Sequence, residues 1–582
     1  MGWREAFRNL KPVYRLLPFR VKHPIAQAIQ SLTPHLSYSH WIRHCEQRSY
    51  NSAQIAQSIA SFRSAPKISV VMPVYDTALQ LLDLAIRSVR AQLYGSWELC
   101  ICDDASPNPN VRARLETWQK QDSRIKVTYS ARNQGISAAS NRALELASGE
   151  FVGLLDHDDE LSPSALYEVA NLVQRQPHAD MIYSDEDKVS LEGRRVWPHF
   201  KPDWSPEYML SLMYTCHFGV YRRQLLEEIG GFRIGFEGSQ DYDLVLRISE
   251  KTNYIYHIPK ILYHWRMVPG SAAASSEAKP YAREAAKRAL TEHLNRRRIS
   301  GEVVDRGPEH YRIRFNLEET EKISIIIQNL NRPGVLKACI KSIEEKTIYR
   351  NYEVIVLVHN RSLDPDIKQH LSSHSHKVIP VDESSNLSRL INCAATRVRG
   401  PYLLLLHGDT EVISPDWIGS MLGFCQQEEI GAVGAKLLYR NGRVEHAGAV
   451  LGLKRLVGHP LRGLPPGLWD YLYSSQDTRN CSAVSGACLM VRKTLFDRVG
   501  GFDEGFPDVY NDIDFCLRIR EAGYRIVWTP DAELYHDEPF SRNSLNGRQA
   551  KSFKRRWGEL LKYDPYYNPN LTLRYEDLGF RV

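Results

Sequence analysis

The strongest constraint on this chain is an internal repeat in its sequence. The run that begins at Ile68 recurs at Ile323, and four further matches follow in the same order. These matches pair Trp97-Glu98 with Tyr352-Glu353, Gly149 with Gly400, Gly230-Gly231-Phe232 with Gly500-Gly501-Phe502, and Asp241-Tyr242-Asp243 with Asp512-Ile513-Asp514. Five ordered matches predict a duplicated domain of roughly 250 residues, because each repeat is one structural unit.

Each copy alternates buried strands with amphipathic helices. A β-branched run opens the copy, a helix expected over Leu81–Gln92 or Val335–Lys346 follows, and another apolar strand comes next. Continuous apolar strands that alternate with helices indicate a parallel sheet covered on both faces. The expected fold class is therefore α/β, with two tandem Rossmann-like domains whose sheets are mostly parallel. In such sheets, ligands bind beyond the carboxyl ends of the strands.

The repeat divides the 582 residues into two large domains and three flanking segments. We expect a helical, basic N-terminal extension at 1–66, the first domain at 67–270, a helix with short strands at 271–321, the second domain at 322–545, and a helix with a tail at 546–582. Within the flanks, helices are expected over Pro280–Arg298 and Arg548–Lys562, and short strands over Glu302–Leu317. The segment between the copies is expected to dock on the first domain.

Composition restricts the class of protein. Hydrophobic residues make up 43% of the chain and charged residues 25%, which suits a folded globular protein. The net charge of +7 is mild, and no basic stripe is interleaved with aromatic residues, so no nucleic-acid partner is expected. No apolar run reaches the ~18 residues of a membrane span, and no signal-peptide pattern is visible. The ten cysteines show no CxxC spacing, which favours reduced thiols and a cytoplasmic location.

The N-terminal extension combines basic and apolar residues. Its basic residues are Arg4, Arg8, Lys11, Arg15, Arg20 and Lys22. This pattern fits two hypotheses. Either the segment lies on the anionic cytoplasmic face of the inner membrane, which makes the association peripheral, or it packs as a helix on the first domain.

Acidic residues fall at the predicted carboxyl ends of strands in the first copy. Asp103 and Asp104 follow the second strand, and the run Asp156–Asp159 follows a later one. Such residues also form ordinary turns, and Asp159 stands where a residue could cap a helix. The functional alternatives are hard oxygen ligands for Mg²⁺ or Mn²⁺ and an acceptor for the N3–H of uracil or thymine. Each motif is a weak signal when taken alone.

Two further candidates lie later in the first copy. Asp241 stands at the start of an amphipathic helix, where a carboxylate either offsets the helix dipole or acts as a general base. His264 lies in an aromatic-rich run, where a histidine is more often structural than a ligand. Other enzyme classes fit less well. No GxGxxG or P-loop stands in a strand–helix context, and a glycosidase has no use for a nucleotide reader such as Asp104.

Taken together, these motifs resemble those of the family 2 glycosyltransferases, which have the GT-A fold. The motifs that carry the resemblance occur in the family's order and spacing: Asp103-Asp104-Ala105-Ser106, Arg132-Asn133-x-Gly135 through Asn141, Asp156-His157-Asp158, Gln240-Asp241 and His264. The resemblance spans residues 67–270 and again 322–545. Two shorter stretches, Tyr183–Lys188 and Asp564–Asn570, are similar more narrowly to bacterial O-antigen and rhamnan biosynthesis transferases.

The resemblance implies an inverting transferase that uses a nucleotide sugar and a divalent metal, Mg²⁺ or Mn²⁺. Asp241 would be the catalytic base, and Asp156, Asp158 and His264 would engage the metal and the diphosphate. The residues expected to bind the nucleotide sugar in this copy are Pro73, Tyr75, Asp103, Asp104, Asn133, Gly135, Asn141 and Asp156. The donor would be linked to UDP or dTDP, with rhamnose favoured, and the acceptor would be an oligosaccharide or a polyprenyl-linked glycan.

The second copy departs from this pattern. His359-Asn360 stands where Asp103-Asp104 stands in the first, and His407-Gly408-Asp409 replaces the acidic run. The resemblance assigns the base role to Asp512, nucleotide contacts to Asn360 and Asn392, and metal ligation to Asp409 and His536. The second copy retains suitable residues at both the base position and the metal positions. This favours a second active transferase that makes a different linkage. The alternative is a single active first domain, with the second copy as a glycan-binding or structural module.

Overall fold

The computed structural model describes most of the chain. The described residues are 37–47, 51–268, 280–307, 309–317, 320–328, 333–359, 369, 371–373, 376–381, 386–398, 400–466, 475–536 and 547–581. The basic residues of the N-terminal extension and the predicted nucleotide contact Asn360 lie outside them. Among the described residues, no helix is both long enough and apolar enough to cross a bilayer.

The first domain is built around one mixed sheet. Its strands are β1 Ile68–Val74, β2 Trp97–Asp103, β3 Ile125–Tyr129, β4 Phe151–Leu154, β5 Glu160–Leu161, β6 Met181–Val189, β7 Arg195–His199, β8 Val220–Arg222 and β9 Ile255–Arg266. They run in the order β3-β2-β1-β4-β8-β6-β9-β5, and β7 pairs with β6. The helices in this part of the chain are α1 Tyr38–Trp41, α2 Ser52–Ala60, α3 Leu79–Arg90, α4 Pro109–Gln121, α5 Ile136–Leu144, α6 Ala165–Arg175, α7 Pro206–Met209, α8 Arg223–Glu228 and α9 Gln240–Ser249.

The remainder of the chain comprises a connecting segment and the second domain. The connecting segment contains α10 Pro280–Arg296 and a hairpin of β10 Gly301–Gly307 and β11 His310–Phe315. The strands of the second domain are β12 Ile323–Gln328, β13 Tyr352–His359, β14 Lys377–Val381, β15 Tyr402–His407, β16 Thr410–Val412, β17 Ile430–Leu438, β18 Val444–His446, β19 Val450–Leu451, β20 Val457–Gly458, β21 Arg479–Cys481, β22 Cys488–Arg492 and β23 Arg525–His536. The helices are α11 Pro333–Lys346, α12 Leu387–Ala395, α13 Trp417–Cys425, α14 Lys493–Arg498, α15 Asn511–Glu521 and α16 Gly547–Trp557. Its main sheet has the order β14-β13-β12-β15-β22-β17-β23-β16.

The two sheets confirm the internal repeat at the level of strand register. β1 lies between β2 and β4, all three parallel, with Ile68 opposite Trp97. β12 lies between β13 and β15 in the same way, with Ile323 opposite Tyr352. Both sheets then reverse direction at the antiparallel strands β8 and β22. The predicted α/β fold with two tandem domains is therefore confirmed.

The repeated glycine before the central strand has a steric cause. A Cβ added at Gly149 would lie 2.6 Å from the carbonyl oxygen of Lys67. A Cβ at Gly400 would lie at the same distance from the carbonyl oxygen of Lys322. Real Cβ atoms do not approach backbone oxygens this closely, so each copy needs glycine where the chain enters the sheet.

Several helix bounds differ from those that the sequence predicts. α11 begins at Pro333 instead of Val335, because the fixed φ of proline suits the first turn of a helix. α10 ends at Arg296, since Arg298 has a left-handed φ of 57° that cannot continue a helix. α16 ends at Trp557 and is followed by a separate short 3₁₀ turn.

The connecting segment contacts both domains, so the prediction that it docks on the first domain is incomplete. The N–H of Tyr311 in the hairpin donates to the carbonyl of Ser211 in the first domain at 2.9 Å. On the other side, Nδ1 of His310 lies 3.0 Å from the carboxylate of Asp477 in the second domain. The hairpin is therefore a bridge, which no local sequence pattern could reveal.

The described part of the N-terminal extension packs on the first domain. The Tyr38 hydroxyl donates to Oδ2 of Asp187 at 2.5 Å. Arg195 pairs with Glu46 at 2.6 Å, and the Trp41 ring is 3% exposed. Residues 37–47 therefore belong to the folded part of the chain, whereas both hypotheses for the basic segment concern residues outside the described ranges.

The C-terminal tail joins the two domains through polar contacts. Nδ2 of Asn568 donates to Oδ2 of Asp185 in the first domain at 2.8 Å. Oδ2 of Asp564 accepts from the N–H of Leu451 in the second domain at 2.7 Å. Asp185 is fully buried, and so is most of Asn568. A buried carboxylate needs such partners, so the tail is part of the folded core of the chain.

We expect Asn568→Ala to lower the free energy of unfolding by about 1 to 3 kcal/mol, because it leaves a buried carboxylate oxygen without this partner. Asn568→Asp should cost more, since it places a like charge against Asp185. Chemical denaturation followed by fluorescence measures both, with exposed Arg574→Ala as the control. Equal stability of Asn568→Ala and the control would contradict a structural role for the tail.

Candidate active sites

The nucleotide end of the first site is organised around Asp104, which follows β2. Its Oδ2 accepts hydrogen bonds from the N–H groups of Gln134 and Gly135, both at 2.8 Å. Gly135 has a φ of 88°, a left-handed conformation that favours glycine. Oδ1 of Asp104 is buried and makes no hydrogen bond to any residue that the structure describes. A buried acceptor without a partner is ready for an N–H donor, and the N3–H of uracil or thymine is one.

The neighbouring residues shape the turns at the same strand ends. Oδ1 of Asp103 accepts from the hydroxyl of Ser106 at 2.5 Å and from its N–H at 3.1 Å. Oδ1 of Asn133 accepts from the N–H of Gly135 at 3.0 Å. Asp103 and Asn133 therefore act on the backbone around Asp104, and direct contact with a nucleotide stays a prediction for both.

The end of β1 is tied to the acidic turn of the first domain. The carbonyl oxygen of Pro73 lies 3.2 Å from Nδ1 of His157. Tyr75 comes just after β1, and its side chain is 45% exposed. An exposed ring at the carboxyl end of a central strand is available to stack on a nucleotide base.

Asn141 and Asn392 have a structural role that the sequence analysis does not predict. The amide of Asn141 donates to the carbonyl of Phe232 at 2.8 Å and accepts from its N–H at 2.9 Å. Asn392 binds Phe502 through the same two bonds, both at 2.8 Å. A Cβ at Gly231 would lie 2.6 Å from Oδ1 of Asn141, which explains the glycine there. Each amide therefore clamps the Gly-Gly-Phe turn through one donor and one acceptor position, and its contact with a nucleotide stays a prediction.

The acidic turn after β4 leaves Asp156 and Asp158 half-buried at the sheet edge, while Asp159 faces inward. Asp159 accepts from the N–H of Arg266 at 2.7 Å and from the hydroxyl of Tyr263 at 2.6 Å. Burial, followed by the charges of Asp158 and Asp156, raises the pKa of Asp159 well above its usual value. Asp159 therefore anchors the turn to β9 and does not cap a helix.

The predicted metal ligands of the first domain are only partly assembled. His264 faces Asp187, and its Nδ1 lies 2.6 Å from Oδ1 of that residue. Within the described residues, Asp156, Asp158 and His264 do not bring three ligand atoms within 4.8 Å of one another. The register gives the reason, because His264 lies opposite Glu160, two residues beyond Asp158. Metal ligation by His264, like that by Asp156 and Asp158, stays a prediction.

The second domain does bring its predicted ligands together. Ligand atoms of His407, Asp409 and His536 lie within 4.8 Å of one another. His536 lies opposite Thr410, the residue directly after Asp409, whereas His264 lies opposite the second residue after Asp158. The register of the second domain therefore brings its histidine one residue closer to the aspartate. Oδ1 of Asp409 is buried and makes no hydrogen bond within the described part of the chain, although Nε2 of His536 is 3.4 Å away. This donor set fits a divalent cation, and its two imidazoles suit a transition metal better than Mg²⁺.

A second carboxylate sets the charge of this cluster. Nδ1 of His536 lies 3.5 Å from Oε2 of Glu445. Burial alone would lower the pKa of His536, but Asp409 and Glu445 raise it to about 10. Burial alone would raise the pKa of Glu445, but His536 and the neighbouring histidines lower it to about 2. A metal that binds here therefore displaces a proton from His536.

The two predicted bases occupy equivalent positions. Asp241 lies in the first turn of α9, and Asp512 lies in the first turn of α15. Both are half-buried, and burial raises the pKa of each carboxyl above its usual value. Oδ2 of Asp512 accepts from the N–H of Gly486 at 2.9 Å. A partly buried carboxylate with a raised pKa is suited to general-base chemistry.

An imidazole that the sequence analysis missed interacts with the first of these carboxylates. Nδ1 of His217 lies 3.1 Å from Oε2 of Glu186, and the ring stacks on Tyr263 with centroids 4.7 Å apart. Burial alone would lower the pKa of His217, but Glu186 raises it to about 9, so the ring is a cation at neutral pH. Its charge lowers the pKa of Asp241 and partly opposes burial. The sequence feature that could have revealed His217 is the run of acidic residues inside the buried strand β6, because such residues need a cationic partner.

Two family models match the chain and cover most of both copies. The model "Glycosyl transferase family 2" matches residues 69–230, and "Glycosyltransferase like family 2" matches residues 321–558. The chain belongs to the family 2 glycosyltransferases. It is therefore an enzyme of sugar transfer, as the motifs predicted.

Three relatives are similar to this chain over different shares of its length. "Uncharacterized protein y4gI" of Sinorhizobium fredii is 42% identical over 91% of the chain, and "O-antigen biosynthesis protein RfbC" of Myxococcus xanthus is 37% identical over 94%. The chain spans 60% and 43% of the length of these two relatives. "UDP-Glc:alpha-D-GlcNAc-diphosphoundecaprenol beta-1,3-glucosyltransferase WfgD" of Escherichia coli is 39% identical over 32% of the chain and 71% of its own length.

The charge of His217 predicts a pH effect on the first domain of the glycosyltransferase. A general base works only when ionised, so activity falls as the pH drops through the raised pKa of Asp241. His217→Asn removes the cation that lowers this pKa, and we expect the acid limb of the kcat/KM profile to move to higher pH.

This profile is measured in an Asp512→Asn background, so that only the first domain contributes. His178→Asn, a change at an exposed histidine, serves as the control. A limb that stays in place or moves to lower pH in His217→Asn would exclude this electrostatic role.

Proposed function

We propose that each domain transfers a sugar from a nucleoside diphosphate donor to a growing bacterial surface glycan, with inversion at the anomeric carbon. The observation that carries this proposal is Oδ1 of Asp104 at the carboxyl end of β2, which is buried and accepts no hydrogen bond from the residues in the described ranges. It fits the N3–H that uracil and thymine share, so it favours UDP or dTDP without separating them. A rhamnose donor rests on the sequence resemblance alone.

The relatives support a surface-glycan acceptor. RfbC is named for O-antigen biosynthesis, and WfgD is named for an acceptor linked to diphosphoundecaprenol. A polyprenyl-linked acceptor of this kind would place the enzyme at the cytoplasmic face of the inner membrane as a peripheral protein. The catalytic units in this proposal are residues 67–270 and 322–545, flanked by 1–66, 271–321 and 546–582.

The chain's own residues account for the transfer step. Asp104 fixes the base, which sets the position of the sugar relative to Asp241. The carboxylate of Asp241 takes the proton of the acceptor hydroxyl while that oxygen bonds to the anomeric carbon. The bond from the anomeric carbon to the diphosphate oxygen breaks on the opposite face, which inverts the configuration. Asp512 has the same task in the second domain.

A divalent metal belongs to this proposal. Asp156 and Asp158 would hold it in the first domain, and His407, Asp409 and His536 would hold it in the second. When bound, it neutralises charge on the diphosphate that leaves. Asp409 fits this role because its buried Oδ1 makes no hydrogen bond within the described ranges.

We expect Asp241→Asn and Asp512→Asn each to abolish one glycosidic linkage and to retain nucleotide binding. The amide keeps the shape of the carboxylate but cannot take the acceptor proton. The assay screens UDP- and dTDP-sugars with Mg²⁺ or Mn²⁺ and identifies the linkages in the product. If Asp512→Asn only weakened acceptor affinity, the second domain would be a glycan-binding module. Normal turnover by Asp241→Asn would exclude it as the base.

A further inference from the structure

A histidine outside the motifs, His459, is linked to Asp512 through His446 and two consecutive backbone amides. The N–H of Ser485 donates to Nε2 of His446 at 3.1 Å, and the next amide, that of Gly486, donates to Oδ2 of Asp512 at 2.9 Å. Nδ1 of His446 in turn lies 2.9 Å from Nδ1 of His459. The histidine pair and the base are therefore held by the same dipeptide.

The hydrogen bonds also determine which nitrogen of His459 carries a proton. Nε2 of His446 accepts from an amide, so the proton of that ring is on Nδ1. Nδ1 of His446 then donates to Nδ1 of His459, which must accept. The neutral ring of His459 consequently carries its proton on Nε2. Burial lowers the pKa of His446 well below its usual value, which keeps the ring of His446 uncharged.

The C-terminal tail positions the segment that carries His459. The backbone N–H of His459 donates to Oε1 of Glu576 at 2.8 Å. Oε2 of Glu576 lies 2.7 Å from Nζ of Lys454, and the carbonyl of Glu576 accepts from the N–H of Leu461 at 2.9 Å. One tail residue thus binds three positions of this segment and limits the movement of the imidazole.

In the first domain, a different residue supplies the imidazole near the proposed base. His217 interacts with Asp241 from the segment before β8, where Glu186 makes it a cation. By the matched register of β8 and β22, Ala487 occupies the corresponding position in the second domain. The second site therefore takes its imidazole, that of His459, from another part of the chain. A neutral N–H suits a sugar hydroxyl, whereas a cation also suits an anionic group.

We propose that His459 contacts the substrate of the second domain and donates Nε2–H to a hydroxyl of the acceptor sugar beside Asp512. His446 fixes its tautomer, and Glu576 fixes its position. This inference rests on the proposed transfer activity of the second domain and adds a residue that selects its acceptor.

The test uses the full chain with Asp241→Asn, so that transfer by the second domain is observed alone. His459→Ala should lower kcat/KM for the acceptor roughly tenfold, because one hydrogen bond to the acceptor is lost. His459→Gln should recover part of this loss, since its amide retains an N–H donor. Glu576→Ala should reduce acceptor kcat/KM less, and Glu576→Gln should keep the wild-type value because it still accepts from the backbone.

Two measurements separate contact from structural damage. Hydrolysis of the nucleotide sugar by water does not use the acceptor contact, so His459→Ala should lower that rate less than it lowers transfer. Arg455→Ala, at an exposed position of the same segment, is the matched control. Unchanged acceptor kcat/KM in His459→Ala, or an equal loss of hydrolysis and transfer, would overturn the inference. If the Asp241→Asn chain showed no transfer that depends on Asp512, this result would contradict the proposed function of the second domain, and not only the role of His459.

Discussion

Three consecutive buried carboxylates in β6 are the constraint on which much of the structure depends. Asp185, Glu186 and Asp187 are each at most 1% exposed. Buried charge is costly unless it is paired and hydrogen-bonded, so the chain must bring donors to this strand. Those donors come from distant segments: Asn568 and His257 for Asp185, Lys201 and His217 for Glu186, and Tyr38, Arg195 and His264 for Asp187.

This strand links the assembly of the chain to the first site. The tail reaches Asp185, the N-terminal segment reaches Asp187, and the carboxylate between them makes His217 a cation. The second domain has apolar and small residues over most of β17, which is the corresponding strand. Its site depends instead on a histidine-rich cluster and on Glu576 from the tail. The two sites thus share a fold and an equivalent position for the proposed base, but the imidazoles near that base, His217 and His459, come from different parts of the chain.

The sequence was a good guide where function depends on local order along the chain. The repeat predicted the paired registers of β1 and β12, and strand ends predicted where Asp104 and Asp156 would lie. It was a poor guide where a contact joins distant segments. The motif that contains Asn141 did not predict that its amide binds the backbone of Phe232, which lies far along the chain. Similarly, His264 lies opposite Asp187 across the pair of β6 and β9, and no motif spacing encodes that contact.

The central claim is that one chain holds two nucleotide-sugar sites. Equilibrium titration of the full chain with UDP and with dTDP, in the presence of Mn²⁺, tests it most directly by counting bound nucleotides. The account predicts two bound nucleotides per chain, and one when Asp104→Ala removes the base acceptor of the first site. A single nucleotide per chain that Asp104→Ala abolishes would contradict the claim and leave the second domain without a donor site.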